Sequence, residues 1–231
     1  MEQPFDPEKL RPLAFVCEPD PRSTVFGKID NTIGTARNIE LSDHHEAIAP
    51  LTLHAGVPED VVQQFETARN LYLYAWFVYR FYVVAEHHSL VCLELALRDR
   101  LKAESSAGKI HYRGKKPTLR PLLECAVQQG LIKNEGFEIW RNRGVIRSRA
   151  RVNMEKAREM TEKNLKEITW DESEIEVTAE DLDWDYTATL VDVLPELRNT
   201  YGHGSTMLHN NVLNCIQIAC EIINQLYEEP A

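Results

Sequence analysis

The segment from residue 197 to residue 204 contains side chains that phosphate chemistry commonly uses. Arg198 is followed, after four intervening residues, by His203, which has a glycine on each side (Gly202 and Gly204). A histidine that titrates near neutral pH can take the proton of a ribose 2′-hydroxyl or protonate a leaving 5′-oxygen. A guanidinium forms a planar fork that stabilises negative charge on phosphoryl oxygens. The segment therefore indicates metal-free chemistry on a phosphodiester.

Several nearby residues are predicted to support this pair. Asn199 would hold the backbone or a substrate, and Tyr201 would form a hydrogen bond or stack on a base. Glu94 is a polar residue within an apolar run, so it either pairs with an arginine of the bundle, for instance Arg198, or lies exposed. We expect His203 to lie just before the N-terminus of the last helix, where free N–H groups attract phosphate. Glycines beside it would allow a ligand to approach the backbone closely.

The bare spacing is a weak signal, and a structural interpretation competes with the catalytic one. Arg37 and His44, and also Arg80 and His87, are separated in a similar way, but these pairs lie in an irregular region and within an aromatic helix. In the competing interpretation Arg198 caps carbonyls at a helix C-terminus and His203 fills a turn. The position between two helices distinguishes residues 198–203 from the other pairs.

The elements that position this segment are predicted to be helical. Residues 1–56 contain many prolines and read as an irregular N-terminal arm, with short strands at Leu13–Val16 and Ile48–Leu53. From Val57 to about Glu104 an apolar helical period continues without glycine or proline, so we expect one helix or two joined by a kink. The aromatic residues crowded into 72–82 form either a packed core, a dimer face or a stacking platform.

The second half of the chain continues the helical pattern, and residues 57–231 are predicted to form one helical domain. We expect helices at 119–131 and 135–168, a short strand at Ile175–Val177, and a helix from Thr178 that Pro195 kinks or restarts. The last helix would be capped by Ser205 or Thr206. The predicted fold class is all-α, a bundle of about four core helices.

Arg198 is followed directly by Asn199, and His203 comes four positions after Asn199, just before a final apolar helix. This order resembles the motif of the HEPN superfamily (higher eukaryotes and prokaryotes nucleotide-binding). The resemblance implies an all-α bundle that forms a homodimer and brings two motifs into one cleft. It implies a metal-independent endoribonuclease that cleaves RNA through a 2′,3′-cyclic phosphate, with Arg198 and His203 as catalytic residues and no cofactor. It also implies a role in toxin–antitoxin systems, with a cognate antitoxin as partner, or in phage defence.

Residues 1–56 and the acidic stretch 171–185 have no counterpart in this resemblance.

Two other classes of function also stay open. One is a non-catalytic module that binds a nucleotide or RNA in the same cleft. The other is a dimeric helical interaction protein, in which the arginine and the histidine are structural.

The distribution of charge points to a basic surface on an acidic protein. The chain has 26 Lys and Arg residues against 36 Asp and Glu residues, and this net negative charge excludes a wholly basic nucleic-acid coat protein. Residues 98–158, however, hold 16 of the 26 cations and only 6 of the 36 acids. These cations either border the cleft and bind RNA, form a solvated face, or bind an acidic partner such as residues 171–185. The residues considered for RNA contact are Lys115, Lys116, Arg120, Arg141, Arg143 and Arg147.

Other patterns narrow the class of protein further. The five cysteines form no CxxC pair, which favours reduced thiols in a cytoplasmic protein. No secretory signal is visible, and the most apolar stretch (71–85) is short and contains Arg80, so no membrane span is expected. No His or Cys spacing typical of zinc sites occurs, so we expect no metal site. The sequence also lacks the GxGxxG motif of Rossmann enzymes, the P-loop of P-loop NTPases and the GxSxG motif of α/β-hydrolases, so we expect none of these three classes.

Overall fold

A computed structural model describes residues 5–30, 34–110, 116–171, 173, 175–204 and 206–228. These residues are mostly helical and include a two-stranded antiparallel sheet. The predicted all-α class is therefore confirmed at this level. Among the described residues, no helix combines the length and apolar content that crossing a bilayer requires.

The N-terminal region consists of short elements. It contains 3-10 turns at Leu13–Phe15 and Ser23–Val25, strands β1 (Gly27–Asp30) and β2 (Thr35–Asn38), and helix α1 (Leu41–Ile48). In the sheet, Gly27 lies opposite Asn38 and Asp30 opposite Thr35.

The two strands predicted in this region are wrong. Residues 13–15 form a 3-10 turn, in which the Pro12 carbonyl accepts the Phe15 N–H at 2.9 Å. Ile48 closes α1 instead of opening a strand, and the following residues to Leu53 join no sheet. The sequence analysis also missed α1, whose first turn is stabilised because the Asp43 carboxylate accepts the Glu40 N–H at 2.9 Å.

The predicted helical stretch after Val57 is divided into α2 (Glu59–Tyr74), α3 (Phe81–Arg100) and α4 (Lys102–Ser106). Of the two alternatives, one long helix or two joined by a kink, the structure shows the second. Asp20 of the N-terminal region stabilises the break, because its N–H donates to the Trp76 carbonyl at 2.9 Å and its carboxylate accepts the Tyr79 N–H at 3.2 Å. Asp20 is fully buried and is bound by the Arg22 guanidinium at 2.8 Å.

The aromatic cluster at this break is mostly core. Tyr72, Trp76, Tyr79 and Tyr82 are all buried, and the rings of Tyr79 and Tyr82 meet edge to face with centroids 5.1 Å apart. The packed-core interpretation is confirmed for these four residues, whereas Tyr74 is exposed.

The remaining helices follow in chain order. They are α5 (Leu119–Gln128), α6 (Glu138–Arg141), α7 (Arg143–Lys163), α8 (Ala179–Leu182), α9 (Tyr186–Gly202) and α10 (Leu213–Leu226), with a 3-10 turn at Asn134–Gly136. The predicted helices at 119–131 and 135–168 correspond to α5 and to α6 with α7.

Predictions between α7 and α10 need correction. Ile175–Val177 is not a strand, because this segment lies along α7 with the Glu176 carbonyl accepting a hydrogen bond from Arg151 at 2.9 Å. The helix capped by Thr178 ends at Leu182. A new helix begins after Asp185, whose carboxylate accepts the Ala188 N–H at 3.0 Å. Pro195 lies inside α9 and does not divide it.

Helix α3 is the centre of the bundle and packs against α2, α5, α9 and α10. Phe65 of α2, Leu93 and Leu97 of α3, Leu122 of α5 and Ile216 of α10 are all fully buried. Each such side chain contributes about 1.5–3 kcal/mol of hydrophobic stabilisation. The central position of α3 also means that its polar residues facing α9 and α10 are buried.

Candidate functional site

Arg198 is held on a buried carboxylate of the central helix. Its Nε donates to Glu94 Oε2 at 3.1 Å, and Arg98, one turn further along α3, forms an ion pair with Oε1. The Glu94 side chain is 4% exposed, so one buried carboxylate is shared by two guanidinium groups. The expectation that Glu94 pairs with an arginine is confirmed. The bond uses Nε of Arg198 and does not involve its two terminal nitrogens.

The structure corrects the expected position of His203. It lies at the C-terminal end of α9, where its N–H donates to the Asn199 carbonyl at 3.0 Å. Gly204 follows with a φ of 87°, a left-handed conformation that ends helices and favours glycine. Ser205 lies outside the described residues, and α10 begins only at Leu213, with Val212 rather than Ser205 or Thr206 at its N-terminus.

His203 is therefore exposed at a helix C-terminus and not in the electropositive field of a helix N-terminus. The part of the competing interpretation that places His203 in a turn is correct. The part that makes Arg198 a cap of helix carbonyls is not what we observe, because its Nε binds Glu94.

The other predicted residues of the segment have distinct environments. The Tyr201 side chain is buried and its hydroxyl donates to Glu86 Oε2 at 2.6 Å, so it forms a hydrogen bond and does not present its ring for base stacking. The Asn199 side chain is exposed. Gly202 is exposed and lies close to Arg198, since a Cβ atom at Gly202 would lie 3.4 Å from Nη1 of that arginine.

Three further residues lie at this place. Glu86 and His87 were not assigned to the site from the sequence, whereas His209, six residues past His203, was considered as a residue of the last helix that either approaches the same cleft or lies at the surface. Glu86 and His87 lie on α3, and His209 lies in the segment between α9 and α10. His209 Nε2 is 3.0 Å from the Tyr201 hydroxyl and 3.5 Å from Glu86 Oε2. The eight-residue interval from Glu86 to Glu94 places both carboxylates on one face of α3, and this interval is the signal that could have revealed Glu86.

Burial dominates the electrostatics of these groups. It raises the pKa of Glu86 above its usual range, although the hydrogen bond from Tyr201 opposes this shift. The pKa of Tyr201 is raised by burial and by the hydrogen bond to the Glu86 carboxylate. The pKa of His87 is lowered by burial and then by the positive charge of Arg198. Arg198 and His87 are therefore close enough to influence each other.

Two of the predicted RNA-binding arginines of α7 contact the segment before α9. Arg143 donates to the Leu182 carbonyl at 2.8 Å and lies over the Trp140 ring, with its Cζ 3.5 Å from the centroid. Arg147 donates to the Asp183 carbonyl. Together with the ion pair between Arg151 and Asp181 at 3.0 Å, these contacts attach the acidic stretch to α7. This arrangement matches the alternative in which the basic block binds residues 171–185.

The remaining predicted RNA-binding residues are dispersed. Arg120 forms an ion pair with Asp192 of α9 at 2.8 Å. Arg141 donates to the Glu135 carbonyl at 3.0 Å and lines a polar cavity of about 430 Å³. Lys115 lies outside the described residues, and Lys116 is exposed.

A cavity of about 380 Å³ adjoins the Glu94 ion pairs. Arg98, Lys102 and Lys116 contribute positive charge to its lining, and Asp99 contributes negative charge. Arg98 thus connects this cationic cavity to the carboxylate that holds Arg198. The lining carries more positive than negative charge, which suits an anionic ligand.

Within the part of the chain that the structure describes, no group of three or more His, Cys, Asp or Glu side chains is arranged to hold a metal ion. The sequence also contains two adjacent histidine pairs, His44-His45 and His87-His88, and a member of each serves another contact. His44 is buried among the rings of Tyr72, Trp76 and Tyr82, and His88 is half-buried against α2.

The site thus consists of Arg198 fixed by a buried carboxylate, an exposed His203, and a hydrogen-bonded group of Glu86, Tyr201 and His209. Comparison with known proteins adds no relative: no protein-family model, no curated protein and no solved structure matches this chain.

Proposed function

We propose that the protein is a metal-independent endoribonuclease of HEPN type, with Arg198 and His203 as its catalytic residues. The observation that supports this most is the fixed position of Arg198. A buried glutamate of the central helix holds its Nε at the end of α9 that also exposes His203. A guanidinium oriented in advance stabilises developing charge better than a mobile one.

The reaction that these groups suit is transfer of the phosphodiester to the neighbouring 2′-oxygen. The 2′-oxygen forms a bond to phosphorus and loses its proton, while the bond from phosphorus to the 5′-oxygen breaks and that oxygen gains a proton. The products are a 2′,3′-cyclic phosphate and a free 5′-hydroxyl. His203 would act in one of the two proton transfers, and Arg198 would stabilise charge on the non-bridging oxygens.

The surroundings of Arg198 are compatible with an RNA ligand. The cationic cavity beside Arg98 supplies positive charge next to the site, and Lys116 lines it. RNA binding through such contacts would weaken as salt concentration rises. The resemblance further suggests a homodimer with two motifs in one cleft, a cytoplasmic location, and a role in a toxin–antitoxin system or phage defence with a cognate antitoxin.

Two observations favour a second candidate, a module that binds RNA or a nucleotide without cleaving it. Arg198 and Arg98 share the Glu94 carboxylate, which neutralises part of their charge. His203 lies at a helix C-terminus, where backbone carbonyls disfavour the close approach of an anion. The third candidate, a dimeric helical interaction protein, would use the same residues structurally.

An RNA cleavage assay separates these candidates. Wild-type protein, Arg198→Ala and His203→Ala are incubated with mixed RNA in EDTA at low salt, and new ends are analysed for 2′,3′-cyclic phosphate. His45→Ala serves as the matched control, because His45 is an exposed histidine on α1 outside the site. We expect cleavage by wild type and the control, and loss by both site variants. RNA binding without cleavage would favour the binding module.

A further inference from the structure

Cleavage through a 2′,3′-cyclic phosphate requires two proton transfers, one from the 2′-hydroxyl and one to the 5′-oxygen. His203 can serve one of them, and a second group is required for the other. His209 lies against the Arg198–His203 segment and carries an imidazole, a group that can accept or donate a proton. It follows α9 by seven residues and contacts Tyr201 of the motif segment.

The hydrogen bonds of Tyr201 define which nitrogen of His209 carries a proton. The single hydroxyl proton of Tyr201 is donated to Glu86 Oε2, at 2.6 Å. The Tyr201 oxygen can then only accept from His209 Nε2, 3.0 Å away, so Nε2 bears a hydrogen. In the neutral imidazole this leaves Nδ1 with a free lone pair, which is the form that a general base requires.

The group is supported from three helices. Glu86 is 4% exposed and comes from α3, Tyr201 from α9, and the buried thiol of Cys215 from α10 also faces the Glu86 carboxylate. His87 of α3 contacts the Tyr201 ring edge to face, with centroids 6.3 Å apart. The His209 side chain remains 28% exposed, so part of the imidazole is accessible while Nε2 contacts Tyr201.

We propose that His209 is a second proton-transferring residue of this site, and that Tyr201 and Glu86 are positioning residues that fix its Nε2–H tautomer. This inference rests on the proposed ribonuclease function. In the proposed step, His209 Nδ1 accepts the proton of the 2′-hydroxyl as the 2′-oxygen attacks phosphorus. His203 donates a proton to the departing 5′-oxygen as its bond to phosphorus breaks.

Two substitutions of His209 distinguish catalysis from structure. His209→Gln retains an amide N–H where Nε2 lies and can still donate to Tyr201, but it cannot take a proton. His209→Asn retains neither the bond nor the base. We expect both variants to lose at least about 100-fold in kcat/KM for RNA cleavage, the scale of general base catalysis, with KM little changed. A structural role would leave His209→Gln close to wild type and impair only His209→Asn.

Glu86→Gln provides the test of positioning. The amide oxygen can still accept from Tyr201, but the negative charge near His209 is lost. We therefore expect a smaller loss of activity and a displaced pH–rate profile, whereas His45→Gln should leave both unchanged. Imidazole nitrogen NMR of the full-length wild type should show His209 almost wholly as the Nε2–H tautomer, and Tyr201→Phe should lower the Nε2–H fraction.

The outcomes separate the inference from the function on which it rests. Cleavage by wild type with His209→Gln within threefold of it would overturn the role of His209 and leave the ribonuclease proposal intact. A wild-type His209 in the Nδ1–H form would likewise overturn the role. Absence of cleavage by wild type at high protein and low salt would overturn both.

Discussion

The ion pairs of Glu94 provide a quantitative prediction about how Arg198 is positioned. Glu94→Ala removes a carboxylate that is 4% exposed and leaves Arg98 and Arg198 without their buried partner. Loss of one member of a fully buried ion pair costs about 3–5 kcal/mol. The two arginine side chains are 39% and 34% exposed and can be rehydrated, so we expect a smaller loss of unfolding free energy, about 2–3 kcal/mol.

Glu94→Gln is the matched variant, because it preserves the volume and one acceptor and removes the charge. It should cost about 1–2 kcal/mol, the difference between charge-assisted and neutral hydrogen bonds. Urea unfolding of wild type, Glu94→Ala, Glu94→Gln, Arg198→Ala and the Glu94→Ala/Arg198→Ala double variant measures these values. In the double-mutant cycle the coupling energy between Glu94 and Arg198 should exceed about 0.5 kcal/mol.

An unfolding free energy of Glu94→Ala within about 0.5 kcal/mol of wild type would refute this reasoning. So would additive effects of Glu94→Ala and Arg198→Ala. Either result would mean that Glu94 does not fix Arg198 in solution. In RNA cleavage, both Glu94 variants should lower kcat/KM, and Glu94→Gln should retain more activity because it keeps an acceptor for the Arg198 Nε.

Three other predictions concern stability and local order. Gly204→Ala should lower the unfolding free energy by about 1 kcal/mol, because residue 204 has a φ of 87°, a conformation that alanine disfavours. Gly202→Ala should change the unfolding free energy little, and urea unfolding compares the two variants. Burial lowers the pKa of His44 below its unfolded value near 6.5, so the folded protein favours the neutral imidazole. Because the unfolded chain then binds a proton more readily than the folded protein, the unfolding free energy should decrease as pH falls below about 6.5. His44→Gln should reduce that slope when urea unfolding is compared at pH 7 and pH 5, and an unchanged slope would contradict this assignment. Arg151→Ala should speed cleavage of residues 175–185 in limited proteolysis, because Arg151 binds this segment to α7. Arg158 is an exposed arginine of the same helix, and Arg158→Ala should leave the cleavage rate unchanged.

The regular spacing of apolar residues along the sequence allowed much of the helical structure to be predicted. The helical stretch that begins after Val57 and the charged helix α7 follow from the residue pattern, whereas the division between α2 and α3 was only one of two alternatives. The length of the α9–α10 connection could not be predicted, because Leu208 and Val212 continue the apolar stripe of α10. In the structure Val212 is buried just before the helix and Leu208 packs on the core from the connecting segment.

The candidate site was predictable where one polar residue interrupts an apolar run. Glu94 stood out within residues 93–97, where it could either pair with an arginine or lie exposed. The structure shows the paired alternative, which offsets the cost of burying an isolated carboxylate. Glu86 was not identified because His87 and His88 beside it make the local sequence polar. The destination of the α7 arginines required tertiary structure, since a basic helix can face solvent, a ligand or an acidic segment of its own chain.

In the function that we propose, Arg198 and His203 cleave RNA by using its own 2′-hydroxyl. The most direct measurement uses an RNA oligonucleotide with a mapped cleavage position, and a second copy carrying a single 2′-O-methyl group on the nucleotide before the scissile phosphate. Wild-type protein in EDTA should cut the first copy to a 2′,3′-cyclic phosphate and leave that position of the second copy intact. Cleavage of the methylated copy at the same position, or 3′-hydroxyl ends on the first, would contradict the account.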